Sequence, residues 1–119
     1  MTPFGIKLFG IKNCDTVKKA RKWLETNQLA VDFHDFRDDG LDSATLEAWV
    51  DDLGWEALFN KRSTSFRALS DADKANLNAV KAQTLMLANP TLIKRPVLVH
   101  GSQIACGFSE AQYREIFGK

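Results

Sequence analysis

Little in this chain suits it to a membrane, a secretory route or nonspecific binding of nucleic acid. No apolar run approaches the length needed to cross a bilayer. The opening MTPFGIKLFG has neither the long apolar segment nor the cleavage site of a signal peptide, so a cytoplasmic protein is expected. Lys and Arg total 16 against 15 Asp and Glu, and the formal charge of +1 is too small to hold a polyanion through bulk charge. Only two cysteines are present, Cys14 and Cys106, far apart and in no CxxC pair. A structural disulfide is not expected in a reducing compartment. The two histidines, His34 and His100, stand at no recognisable ligand spacing, so no metal site is expected. Repeats, low-complexity tracts and Pro/Gly/Ser-rich linkers are all missing. What remains is ordinary globular composition, 45% hydrophobic and 26% charged, over 119 residues, enough for a single domain with a core.

The pattern of elements is then informative. GIKLFG reads as a short strand bounded by Gly5 and Gly10. CDTVKKARKWLET reads as a helix that sets Val17, Ala20 and Leu24 on one face and Lys18, Lys19 and Lys22 toward water. AVDFHDF reads as a second strand, extended through Phe36, and the helix between is long enough to cross over between parallel strands. LDSATLEAWVDDLG is an amphipathic helix with Asp42 or Ser43 as its cap and Gly54 as its stop. WEALFN adds a helical turn, and a further helical region opens at Ser70 and Asp71, runs through AVKAQTLMLA and stops near Asn89, ahead of Pro90. RPVLVH and SQIAC form a hairpin about Gly101 and Ser102. SEAQYREIFG closes the chain as a helix capped by Ser109, with Tyr113, Ile116 and Phe117 inward. The expected fold is α/β and thioredoxin-like, β-α-β then β-β-α, with an all-helical insertion. A single domain spans residues 1–119, its core about 4–40 and 90–119 and its insertion about 41–89.

Cys14 carries the chemical signal. A helix start offers unpaired N–H groups and the positive end of the helix dipole, both of which favour thiolate, the nucleophilic form. Lys12, Lys18 and Lys19 add positive potential, and Asn13 and Thr16 supply polar groups beside the sulfur. The alternative, a small buried apolar residue, fits poorly with the polar flanks KNCDT. Cys106 ends the apolar run QIAC and reads as a strand-end core residue, or alternatively as a resolving thiol for Cys14. Arg95–Pro96 opens a strand. In a thioredoxin-like fold a proline here faces the reactive cysteine in cis geometry, which places Arg95 beside the thiolate; the alternative is a surface arginine before an ordinary trans proline. NKRSTSFRAL holds Lys61, Arg62 and Arg67 among hydroxyls, and reads equally as a solvated connection or as an anion-holding loop.

NCDTVKKARKWL, NKRSTSFRAL, LANPTLIKRPVLV and CGFSEAQ together resemble the ArsC/Spx family, in the family's order and over almost the whole chain, and most closely its YffB-like branch. The resemblance implies the thioredoxin-like fold with a helical insertion. Its arsenate reductases use a single cysteine at the position of Cys14, three oxyanion-binding arginines, and glutathione with glutaredoxin. Arg95 matches one arginine; the other two fall at Asn60 and Gly107, with Arg62 two residues beyond Asn60. Spx regulators, which bind RNA polymerase, carry a CxxC redox switch, and here its second position is Val17, so the resemblance does not extend to that switch. The resulting expectation is a monomeric, glutathione-dependent thiol reductase. Cys14 is its nucleophile, and Asn13, Thr16, Arg62, Arg95 and Pro96 form the substrate and glutathione site. No cofactor is bound, glutathione is the co-substrate, and glutaredoxin is a candidate partner. An arsenate reductase with a modified oxyanion site and a protein-binding regulator are the alternatives.

Overall fold

The computed structural model describes residues 6–101 and 103–119. Gly5 of the expected first strand and Ser102 of the expected turn lie outside the described residues. In chain order, β1 (Ile6–Gly10), α1 (Asp15–Thr26), β2 (Val31–Asp35) and α2 (Phe36–Asp39) come first. Five helices follow: α3 (Ser43–Leu53), α4 (Trp55–Leu58), α5 (Thr64–Arg67), α6 (Asp71–Lys74) and α7 (Ala79–Ala88). A 3-10 turn (Pro90–Leu92), β3 (Val97–His100), β4 (Gln103–Cys106) and α8 (Glu110–Phe117) complete the chain. The chain divides into two compact units, Met1–Asp39 with Arg95–Lys119, and Gly40–Lys94.

The first unit holds a four-stranded sheet in the order β2-β1-β3-β4. β1 runs parallel to β2 and antiparallel to β3, and β3 and β4 form the antiparallel hairpin. The parallel pair needs a crossover, and α1 supplies it. This is the thioredoxin-like βαβ–ββα arrangement. Ile6, Leu8, Ala20, Trp23, Leu24, Leu98 and Tyr113 form one buried cluster, with Phe108, Ile116 and Phe117 packed against it. Tyr113 meets Trp23 and Phe108 edge-on, at ring-centroid distances of 5.6 and 4.7 Å. Edge-to-face packing of this kind stabilises beyond the area that the rings bury. Burial also pushes the Tyr113 phenol well above its ordinary pKa.

The helix ends follow the local chemistry of the sequence. Ser109 accepts from Gln112 N–H and caps α8, which Gly118 ends in the left-handed conformation. β2 is shorter than the sequence suggests, because Phe36 leaves the strand, begins α2 and is buried there. At the same end of the parallel pair, Gly10 lies against α1. A Cβ built on it would sit 2.7 Å from Val17 Cγ2. Glycine is therefore required for the helix to approach the strand so closely. Gly10→Ala is expected to lower stability by about 1–3 kcal/mol through overpacking, read as a lower denaturant midpoint with an unchanged m-value.

The second unit is helical, with one isolated antiparallel bridge between Phe59 and Ile93. Asp42 caps α3 by accepting from Thr45 N–H, and Gly54, at φ 86°, ends it. Two departures from expectation occur here. The region opening at Ser70 is two helices, α6 and α7, separated where Asn76 takes a positive φ of 52° and Asn78 caps a fresh helix start. The segment NKRSTSFRAL contains a helical turn of its own, α5, capped by Ser63.

Candidate active site

Strand register gathers the chemistry at one end of the sheet. Gly10, the last residue of β1, pairs with Asp35, the last residue of β2. Phe9 pairs with Val97, so Pro96 lies at the same end, just before β3. Val97 in turn pairs with Cys106, and Gly107 N–H donates to Pro96 O at 2.8 Å. The loop from Ile11 to Cys14 leaves β1 at this edge.

Cys14 is the N-cap of α1, with extended backbone (φ −82°, ψ 127°). Its amide donates to Ile11 O at 3.0 Å, closing a turn, and its carbonyl accepts the Lys18 amide at 2.9 Å. The thiol makes no side-chain cap bond to the helix, is half-buried, and is in no disulfide. The sulfur thus stands at the positive end of a twelve-residue helix, where serine or aspartate would normally cap. Asn13 and Thr16 flank it and are exposed. Behind them Val17 is fully buried, so the second position of a CxxC pair is occupied by a core side chain.

Arg95–Pro96 is a cis peptide bond. Pro96 is fully buried and Arg95 half-buried. Cys106 is half-buried at the end of β4 and is likewise in no disulfide. Arg62 lies in the second unit and is exposed. It lines an open concavity of about 390 Å3 together with Asn60, Lys61, Lys94, Glu56 and Phe59. Two hydroxyls of this loop serve the local fold. Ser63 accepts from Phe66 N–H and donates to Asn60 O, and Ser65 hydrogen-bonds Thr91. Asn60 Oδ1 accepts the Arg62 amide at 3.1 Å.

Two charged residues behave differently from the sequence reading. The ammonium of Lys12, expected to add positive potential beside Cys14, pairs with Asp38 at 2.8 Å. That hydrogen bond and the Asp38 charge raise its pKa further. The second residue, Asp35, has no site role that its sequence neighbours announce. It is a buried carboxylate, 4% exposed. Its Oδ2 accepts the Lys12 amide at 2.9 Å, and its Oδ1 accepts those of Arg37 at 2.7 Å and Asp38 at 3.2 Å. Burial opposes its ionisation, but the three N–H donors and the Lys12 charge outweigh burial and hold its pKa below the usual carboxylate value. The stabilisation from this ion is therefore complete above about pH 4 and is lost as acid titrates the folded carboxyl below that. The available signal was an Asp followed by Asp38 and Asp39 just after a strand, which is a helix-start pattern.

Residues 9–116 match the ArsC family. The chain belongs to the ArsC family. Among solved structures, a protein named YFFB is 45% identical and superimposes with a TM-score of 0.90, covering 92% of this chain and 96% of that one. An arsenate reductase (ArsC) related protein from Brucella melitensis is 41% identical at a TM-score of 0.78, covering 100% and 99%. The global transcriptional regulator Spx of Streptococcus agalactiae is 28% identical over 92% of this chain and 80% of its own length. Among the described residues, no group of three or more His, Cys, Asp or Glu could hold a metal ion, and no helix is long and apolar enough to cross a membrane.

Proposed function

We propose that this ArsC-family chain is a glutathione-dependent thiol reductase with Cys14 as its single nucleophile. The observation that carries the reading is the placement of Cys14 as the N-cap of α1 with a thiol that caps nothing. Oxidoreductase chemistry is in keeping with the arsenate-reductase-related relative from Brucella melitensis. On a glutathionyl mixed disulfide, the Cys14 thiolate attacks the glutathione sulfur. The S–S bond breaks, and the substrate sulfur leaves with its electron pair and takes up a proton. A glutathione thiolate then attacks the Cys14-bound glutathione, forming oxidised glutathione and returning Cys14 as thiolate. Asn13, Thr16 and the first-turn amides stabilise the sulfur anion. Arg95 holds a carboxylate of glutathione, and Pro96 shapes the floor of the groove. Because Val17 stands where a second cysteine would, the resolving thiol comes from outside, either glutathione itself or a glutaredoxin. Burial of Val17 in the core also weighs against a CxxC-switched regulator.

Mass spectrometry of the protein incubated with oxidised glutathione tests this. A glutathione adduct at Cys14, with Cys106 unmodified, is the expected result. No adduct, or one at Cys106 alone, refutes the reading.

A further inference from the structure

We propose that Asp35 is a positioning residue for Cys14: by accepting the Lys12 amide, its buried carboxylate fixes the loop that delivers the thiol to the first turn of α1. The inference rests on Cys14 being the nucleophile proposed above.

A charged group buried at a strand end is costly unless its lone pairs are satisfied. Two of its three N–H donors, from Arg37 and Asp38, belong to the start of α2. Any good N-cap side chain would serve those two. The Lys12 bond is different. It spans 23 positions of sequence and ties the end of β2 to the loop that leaves β1. Only Asn13 separates Lys12 from Cys14. The turn there is closed by Cys14 N–H on Ile11 O and anchored on one side by the buried Ile11 side chain. The Asp35–Lys12 bond is the second anchor. The Lys12–Asp38 ion pair joins the same two segments, but both side chains are more than half exposed, where such pairs contribute little.

Asparagine at position 35 isolates the anchor. Its carbonyl oxygen keeps the α2 cap, which asparagine makes as well as aspartate. Its amide nitrogen then faces the Lys12 N–H, donor against donor, so the loop bond is lost. Charge and position give opposite signs. Removing a negative charge near a thiolate, by itself, speeds its reaction. Loosening the loop moves the sulfur off the helix-start amides and slows it.

The experiment measures alkylation of Cys14 by iodoacetamide at neutral pH, read by peptide mass spectrometry, in wild type, Asp35→Asn and Lys12→Ala, with circular dichroism as the check on folding. Slowing by about tenfold or more in folded Asp35→Asn is expected, since small displacements of a reacting group have effects of this order. Lys12→Ala, which keeps the backbone bond, should stay within about twofold. An unchanged or faster rate in folded Asp35→Asn overturns the positioning role while leaving Cys14 as nucleophile. A wild-type Cys14 no more reactive than in the unfolded chain overturns the nucleophile reading itself. If Asp35→Asn does not fold, hydrogen exchange of the wild-type Lys12 amide decides. Protection on the order of a hundredfold or more supports the anchor, and exchange at the unstructured rate overturns it.

Discussion

Cys14→Ser is expected to abolish thiol–disulfide exchange, by about three orders of magnitude or more, while Cys106→Ser retains most of it. Serine at an N-cap is structurally benign, since its hydroxyl caps helices better than a thiol does. The loss would therefore be chemical. An alkoxide is not available near neutral pH, and oxygen cannot form the mixed disulfide through which exchange proceeds. Cys106 occupies a regular strand position opposite Val97 at the end of β4. Serine there exchanges a half-buried thiol for a similar volume and leaves the βαβ unit that carries Cys14 untouched. The check is turnover of a small glutathionyl disulfide with glutathione, with far-UV circular dichroism confirming that both variants fold. If both single variants are inactive, Cys106 is the resolving thiol and the external-glutathione mechanism is wrong.

What could be read from the sequence was what local chemistry determines. The apolar spacing of Val17, Ala20 and Leu24 specifies α1, and all three are fully buried. Asp42 and Ser109 cap where a capping residue precedes an apolar-periodic run. Breaks that depend on backbone choices within polar segments were not legible. AlaAsnLeuAsn between α6 and α7 has no apolar stripe whose interruption would betray the left-handed Asn76. Phe36 fits either the end of a strand or the first turn of a helix, and burial satisfies it in both. At the site, Cys14 was legible because its signal lies in its immediate neighbours. The Asp35–Lys12 bond was not, because it joins residues 23 apart and exists only once β1 and β2 pair in register. The same pairing brings Asp38 to the Lys12 ammonium and removes a cation that composition alone assigns to the thiol.

Arsenate reduction by this chain is expected to be weak or undetectable even with glutathione and glutaredoxin supplied. Arsenate near neutral pH is a tetrahedral anion carrying up to two charges. Holding it beside a thiolate brings like charges together, so several cationic donors are needed to offset the repulsion. Arginine suits the task because its fork makes paired, charge-assisted hydrogen bonds. Of the three arginine positions that the resemblance to arsenate reductases implies, only Arg95 is filled here. Asn60 stands at another, with its side-chain oxygen engaged by the Arg62 amide. Gly107 stands at the third, with its own amide donated to Pro96 O and its φ at 79°. Each charge-assisted bond contributes about 1.5–3 kcal/mol. Two missing arginines therefore amount to about 3–6 kcal/mol, or roughly two to four powers of ten in binding or rate. A glutathionyl disulfide concentrates no such charge at the sulfur under attack and needs fewer arginines. Restoring both positions is not an even test, because a side chain at Gly107 would be strained by about 1–2 kcal/mol in the left-handed region. Asn60→Arg is the cleaner variant. The measurement is arsenate-dependent turnover in the wild type and in Asn60→Arg, with a rise of about tenfold or more expected in the variant. Robust wild-type turnover at micromolar arsenate would refute the argument and make the chain an arsenate reductase with a rearranged oxyanion site.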